Sequence, residues 1–433
     1  MKSNPMMGGV ALGVILAASA TSASASGFAV TGITVEGLGR ANSGEAADTG
    51  AGALWWNPAA IARSGREVSL GLTHRRQDNT LADAGTTITR PIVPGGLTTP
   101  VGGASSLNDV ADEFTAPYAA IALPIGDRVA VGLSLAKPYH IRNDLGSTSW
   151  SRYDTIRNQI SVTDIQGTGA VRAADWLDLG FGVSAQRNKS YLDQGYPNLN
   201  PAAADGLSAL TGDGWNWGWT IGAQAHLEGV TLGLAYRSAV EQEIDGTITL
   251  SGLQAPLDTA NFSADAKTKF STRSTLTAAA RIEVTPQLTL NGQVVRSGWD
   301  EYDKIDVAFA GQTATIAQRF KNTTSFAAGF DYALSDAWTV RAGAQYDPTP
   351  TPSDLREPGV FDSDRWIFAA GASYALATGA TLHGALAYTR FEDTDLEEFD
   401  TFYGGTPAQT TVPVRGTFEG SDLTLAVGLD WKF

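Results

Sequence analysis

Residues 422–433 read DLTLAVGLDWKF. Leu423, Leu425, Val427, Leu429, Trp431 and Phe433 alternate with Asp422, Thr424, Ala426, Gly428, Asp430 and Lys432. One row is wholly apolar and ends in two aromatics; the other is polar or small. Strict alternation is the period of a strand with two unlike faces. Working back along the chain, Trp338, Val340, Ala342, Ala344 and Tyr346 alternate with Thr339, Arg341, Gly343, Gln345 and Asp347, and Leu177, Leu179, Phe181, Val183 and Ala185 with Asp178, Gly180, Gly182 and Ser184. The pattern recurs over 129–135, 230–236, 276–284, 326–332, 366–374 and 382–388. A soluble sandwich would set charged residues opposite a bulky core. Here the second row is Gly, Ser, Thr, Asn and Gln with sparse charge, which suits a hydrated or plugged lumen. Trp176, Trp338, Trp366 and Trp431 fall at strand ends, as in an interfacial aromatic girdle.

Strands are predicted over 66–77, 115–124, 128–137, 157–172, 176–190, 215–226, 230–242, 268–284, 287–298, 320–333, 337–347, 364–376, 380–392 and 416–433. That is an even set of 14, as a closed bacterial barrel requires. Connections alternate between short (124–127, 173–175, 227–229, 285–286, 334–336, 377–379) and long (78–114, 138–156, 191–214, 243–267, 348–363, 393–415). Short periplasmic turns and long external loops are the expected asymmetry. The fold class is therefore all-β: a 14-stranded antiparallel transmembrane barrel over 66–433.

Composition narrows the function. The 433 residues include no Cys, which excludes disulfides, thiolate metal sites and cysteine nucleophiles. The four histidines (His74, His140, His226, His383) have no metal-ligand spacing along the chain. Neither a GxSxG elbow nor a third glycine after Gly37-Leu38-Gly39 at dinucleotide spacing is present. No enzyme, metal or cofactor is expected. A net charge of −15 without a basic patch speaks against nucleic acid. Lys2, the apolar run Gly8 to Ala20 and the small residues Ala23-Ser24-Ala25 form a signal peptide over 1–25, with a mature start at Ser26. The apolar run is too short for a membrane-spanning helix.

The stretch 26–65 lacks strand alternation but carries Phe28, Ile33, Leu38, Leu54, Trp55, Trp56 and Ile61, too apolar for a disordered leader. A plug folded inside the lumen fits it better. Its motifs, Gly37-Leu38-Gly39-Arg40-Ala41, Gly44-Glu45-Ala46-Ala47 and Asn57-Pro58-Ala59 after Gly27-Phe28, resemble the N-terminal hatch of the FadL-type outer-membrane family. The likeness continues through 215–238, Ser297-Gly298-Trp299, 346–350 and Asp364-Arg365-Trp366.

That resemblance implies import of long-chain fatty acids or, in some members, aromatic hydrocarbons such as toluene. The ligand is captured at an external groove, passed to a pocket over the hatch, and released sideways through a gap in the wall. Whether Pro138, just past strand 128–137, marks that gap is a question for the fold. Gly39, Arg40, Asn57, Pro58 and Ala59 become the gating candidates and Phe28 a pocket-side residue. Lys189 falls where the family places a head-group base, and Arg319 and Lys321 are further carboxylate-binding candidates. Leu192, Leu199, Leu207 and Leu210 would line the capture groove. The acidic run from Glu392 to Asp400 reads as a solvated external loop, with Ca²⁺ bridging to lipopolysaccharide as the rival reading. Expected partners are a hydrophobic small molecule, outer-membrane lipid and lipopolysaccharide, and the barrel-assembly machinery through the strand ending at Phe433; a monomer is the family default. A general porin for small polar solutes uses the same barrel signal but needs no apolar hatch.

Overall fold

The computed structural model describes residues 29–360 and 362–433. The signal peptide and Phe28 lie outside the described residues. Fourteen strands form the wall: β1 (Glu67–Asp83), β2 (Phe114–Ile125), β3 (Val129–Asp144), β4 (Arg157–Ala174), β5 (Leu177–Tyr196), β6 (Gly206–Leu227), β7 (Val230–Arg237), β8 (Ser274–Glu283), β9 (Leu288–Gly298), β10 (Thr323–Ala333), β11 (Trp338–Asp347), β12 (Arg365–Ala375), β13 (Ala380–Phe391) and β14 (Thr410–Lys432). Each pairs antiparallel with its chain neighbours. β14 returns to β1 from Glu67↔Lys432 to Asp83↔Gly416, so the sheet closes and has no edge to protect.

The alternation sorts as the sequence implies. Leu70 and Leu72 of β1, Leu179, Phe181 and Val183 of β5, and Leu423, Leu425 and Val427 of β14 are exposed on the outside. Their counterparts Ser69, Thr73, Asp178, Ser184, Asp422 and Thr424 are buried inside. A belt of exposed aliphatics round a closed barrel is stable only in a hydrocarbon solvent. Trp176, Trp338, Trp366 and Trp431 are exposed on that outer face at strand ends.

The external side departs from the expectation of loops. The runs 230–242 and 268–284 do not continue as single staves. β7 ends at Arg237, and a separate hairpin, Glu241–Ser251 with Phe262–Ser271, stacks on the outer half of β6 through Asp245↔Asp213 to Ser251↔Leu207. Further hairpins form at 87–100 and 304–317. The acidic run is not a loop: Thr394–Phe402 pairs with the outer half of β14, and Asp400 is buried. These segments form strands because they share a core outside the membrane, built from Ile244, Ile248, Val307, Phe309, Phe402, Val412, Val414 and Phe418. Burying that apolar surface supplies what isolated hairpins lack.

The segment from Val30 to Gly65 runs inside the barrel. It holds one short helix, α1 (Val35–Gly39), capped by Thr34 Oγ1, which accepts from Gly37 N at 3.2 Å. Three 3₁₀ turns follow at Glu45–Ala47, Ala51–Ala53 and Pro58–Ile61. Leu54 and Ile61 pack among Tyr118, Ala120, Ala130 and Ala170 of the wall, and Val35 and Leu38 among Ile367, Ala385 and Ala426.

Candidate functional site

Asn57 anchors the interior segment. Its Oδ1 accepts from Ala59 N at 3.0 Å, starting the turn whose first position is Pro58, where a missing N–H costs nothing. Its Nδ2 donates to Ala46 O at 2.7 Å within the segment and to Ala223 O of β6 at 3.0 Å in the wall. Pro58 and Ala59 lie against Gly180 of β5, and Asn57 against Gly222 of β6. A Cβ at either glycine would collide with them. Gly39 also approaches Gly371 of β12, though less closely, a Cβ on Gly39 falling 3.1 Å from the Gly371 Cα.

Charge holds the other side. Arg40 is fully buried and pairs with Glu45 at 2.7 Å, with Asp48, and with Asp331 of β10 at 3.5 Å. Asp331 also receives Arg281 of β8 at 3.2 Å and Arg341 of β11 at 2.9 Å. Burial pushes the Glu45 carboxyl up despite the Arg40 guanidinium beside it. Burial works against the Asp48 charge as well, but Arg281 and Arg40 hold that carboxyl well below the usual carboxylate range. The network ties three staves to one turn of the segment.

On the outer side of the segment is a cavity. The segment contributes Val30, Ile33, Trp55 and Trp56, and the wall contributes Thr220, Arg237, Arg273, Thr275, Ser325, Gln345, Asp347 and Arg365. Arg365 is neutralised by Asp347 at 2.7 Å. Arg237 and Arg273 have only neutral hydrogen-bond partners, the nearby Asp164 carboxylate acting on Arg237 without a bond between them. Arg237 donates Nη2 to Trp55 O at 2.7 Å and Gln166 Oε1 at 2.9 Å, stacks on the Trp55 ring at 3.6 Å, and leaves Nη1 buried without a hydrogen bond. Arg273 donates Nη1 to Ser297 Oγ at 2.5 Å and leaves Nε without a bond. Two guanidinium groups with buried spare donors, set over an apolar floor, suit an anion on an apolar tail.

A second, mostly apolar cavity lies farther out, between the upper halves of β4 to β6 and the external hairpins. Ile160, Tyr191, Leu192, Leu210, Ile244 and Phe270 line it. Only Ser271 and Thr272 separate Phe270 in this cavity from Arg273 in the first. Leu207 borders a separate external cleft, and Leu199 packs on the external core.

The wall is interrupted beside the inner cavity. β2 and β3 pair from Ile125↔Val129 to Ala119↔Leu135 and meet again only at the bridge Ala111↔Asn143. Over that interval β3 follows β4, with a bulge between Ala136 and Tyr139 that contains Pro138. The interior segment reaches this bulge: Val30 N donates to Pro138 O at 2.8 Å, and Ala29 bridges Tyr139. The Phe114 and His140 rings stack at 3.9 Å across the interrupted stretch, with Lys137 Nζ 5.3 Å from the Phe114 ring.

The structure thus sets all five gating candidates against the wall but in two separate places: Asn57, Pro58 and Ala59 at β5 and β6, and Gly39 and Arg40 at β10 to β12. The three cations named from sequence lie elsewhere. Lys189 is exposed on the same row of β5 as Phe181 and Val183. Arg319 pairs with Asp354 at 2.9 Å with both side chains more than half exposed, and Lys321 is exposed. None of the three lines either cavity. Arg237 and Arg273 were overlooked, although parity marks them. Leu232 and Leu234 face lipid, so Arg237 falls on the lumen row; Leu276 faces lipid, so Arg273 does too.

A closed barrel with an apolar outer belt and a filled lumen defines an integral outer-membrane protein. The family model described as outer membrane protein transport protein (OMPP1/FadL/TodX) matches residues 16–433, and the chain belongs to that family. The long-chain fatty acid transport protein of Salmonella typhi is 25% identical over 417 residues, covering 90% of this chain and 93% of that protein. Among solved structures, a Pseudomonas aeruginosa FadL homologue superposes with a TM-score of 0.82 at 22% identity, covering 94% of this chain and 99% of that one. The Pseudomonas putida toluene transporter TodX gives 0.66 at 16% identity, with 94% and 99% covered. The protein is an outer-membrane transporter of hydrophobic compounds, not an enzyme.

Proposed function

We propose that the protein imports long-chain fatty acids passively, with the segment 26–65 acting as a hatch. The observation that carries the choice of ligand is the pair Arg237 and Arg273, which hold unused buried donors over the floor of Ile33, Trp55 and Trp56. A carboxylate satisfies those donors; a hydrocarbon such as toluene leaves them unpaired, which costs about 1–3 kcal/mol per buried group. The acyl chain has the apolar outer cavity for capture, and each methylene buried contributes about 0.8 kcal/mol. The name of the Salmonella typhi relative supports the same reading. Release runs sideways, because an apolar ligand gains nothing by entering the aqueous periplasm. The interrupted pairing between β2 and β3, reached by Val30, is the exit, and displacement of that N-terminal stretch from Pro138 opens it.

The test is uptake of labelled oleate, toluene and a small sugar by cells lacking their own importers. Oleate enters and the sugar does not. The double substitution Arg237→Gln and Arg273→Gln lowers oleate uptake at least about tenfold, the loss of one charge-assisted hydrogen bond, and spares toluene. Toluene uptake without oleate uptake overturns the choice of ligand. Sugar uptake alone overturns the hatch in favour of a porin.

A further inference from the structure

One cluster where the interior segment meets the wall has no part in holding an acyl chain. Glu36 on α1, His383 on β13 and Asp430 on β14 each offer one donor atom, and the three atoms lie within 4.8 Å of one another. They border a small pocket completed by Thr34, Gly52 and Tyr118. The His383 side chain is buried, 4% exposed. Its Nδ1 is 2.7 Å from Ser373 Oγ and 3.5 Å from Glu36 Oε1. Its Nε2 lies 3.3 Å from Asp430 Oδ2 but makes no hydrogen bond.

Chemistry follows from that arrangement. In the tautomer that donates Nδ1–H to Ser373, the Nε2 lone pair faces the Asp430 carboxylate, and a bound cation between the two turns that repulsion into ligation. Arg341 gives Nε to Asp331 at 2.9 Å, Nη1 to Ser373 at 2.7 Å and a long Nη2 bond of 3.4 Å to Glu36 Oε1, and so leaves the second Glu36 oxygen and Asp430 without its charge. Ser373 meanwhile fixes the ring, the usual outer partner of a metal-bound histidine. One imidazole nitrogen with two carboxylate oxygens is a donor set for Zn²⁺ with water in the fourth position, whereas Mg²⁺ and Ca²⁺ prefer oxygen alone.

We propose that Glu36, His383 and Asp430 bind one Zn²⁺, which clips α1 of the interior segment to staves β13 and β14. The bond would join the start of the segment to β13 and β14, which neither the Asn57 anchor nor the Arg40 network reaches, and so adds a third restraint.

The experiment uses the full-length protein purified in detergent and stripped with a chelator. Zn²⁺ is titrated calorimetrically, and Co²⁺ is added separately to read its visible spectrum. One Zn²⁺ binds per chain, and Co²⁺ gives the intense bands of a four-coordinate site. Glu36→Gln and Asp430→Asn each weaken binding by at least about tenfold, and His383→Gln abolishes both signals. His226→Gln, which alters the separate pair with Asp178, leaves them unchanged. Heat-modifiable electrophoretic mobility confirms that each barrel is folded; Glu36→Gln, outside the wall, keeps the test open if a wall variant fails to assemble. Absence of saturable Zn²⁺ binding in the wild type overturns the site. So does undiminished binding in the folded Glu36→Gln protein.

Discussion

Asn57 has three hydrogen bonds and no exposed surface, so its side chain cannot be shortened without orphaning buried partners. Asn57→Ala removes a cap, orphans the Ala59 N–H and takes one donor each from Ala46 O, which keeps Gln224 Nε2 at 3.0 Å, and Ala223 O, a loss on the order of 2 kcal/mol. The barrel does not depend on this contact, so the loss falls on the attachment of the segment. Single-channel conductance of small ions in planar bilayers should rise in Asn57→Ala while heat-modifiable mobility is kept; unchanged conductance would rule out the anchor. Asp154, buried in the external connection between β3 and β4, is a different case. Burial, and Glu398 beside it, push its carboxyl up to about 8. The folded state then holds a proton that the unfolded chain releases near pH 4. The contribution of this carboxyl to stability is fully present below about pH 4 and is lost as pH rises through about 8. Hydrogen exchange around 150–156 should speed up across that window, and Asp154→Asn should flatten the dependence. The cations show how much was readable at this scale. Lys189 shares a row with Phe181 and Val183 in the sequence itself, so strand parity alone assigns it to the outside. Arg237 and Arg273 are on lumen rows by the same rule, but pairing them needs the barrel to bring β7 and the start of β8 together.

The staves were legible because their evidence is local: an alternating row and a short turn suffice. The external hairpins were not. Over Glu241–Ser251 and Thr394–Phe402 the polar residues suggest loops, and only the shared core of Ile244, Ile248, Phe402 and Val412, assembled from distant segments, makes strands of them. The interior segment stood out by composition, whereas its seats on Gly180 and Gly222 required the register of β5 and β6. Pro138 lies between these extremes. From Ala136 to Tyr139 β3 advances three residues while β4 moves two, from Asp164 to Val162, so β3 carries one extra residue. Deleting Pro138 restores the count and keeps Ala136 and Tyr139 on the lumen side. The deletion should let β3 rejoin β2, sealing the wall. Oleate uptake is then lost, while surface abundance and the mobility shift persist. Retained uptake in a folded deletion protein would show that ligand leaves by another route.

At the scale of the whole molecule, two solvents divide the chain. In water, above the staves, apolar residues turn inward to the aromatic core of Trp150, Tyr153, Tyr196, Trp299 and Phe402. In the bilayer the order reverses: Leu, Val and Phe face out and the buried side is Asn, Gln, Ser, Thr and paired charge. One sequence can satisfy both because a strand carries two rows that need not be alike. The reversal also explains why low charge coexists with modest hydrophobicity, since a lumen filled by a Gly- and Ala-rich segment needs small partners rather than a greasy core. The row assignment makes a quantitative demand. Leu425 of β14 is 51% exposed on the outer face, flanked by Leu423 and Val427, and its neighbour Ala426 is buried against the segment. An arginine at Leu425 has only hydrocarbon around it and should destabilise the barrel by about 2–4 kcal/mol if that position lies near the bilayer midplane, falling toward about 0–1 kcal/mol at an interface. Arginine at Trp431, at the inner end of the same row, should cost less. Reversible urea unfolding in phospholipid vesicles, comparing Leu425→Arg with Trp431→Arg, measures both. A larger loss at Trp431 would place the bilayer elsewhere on the barrel and undo the assignment of the belt.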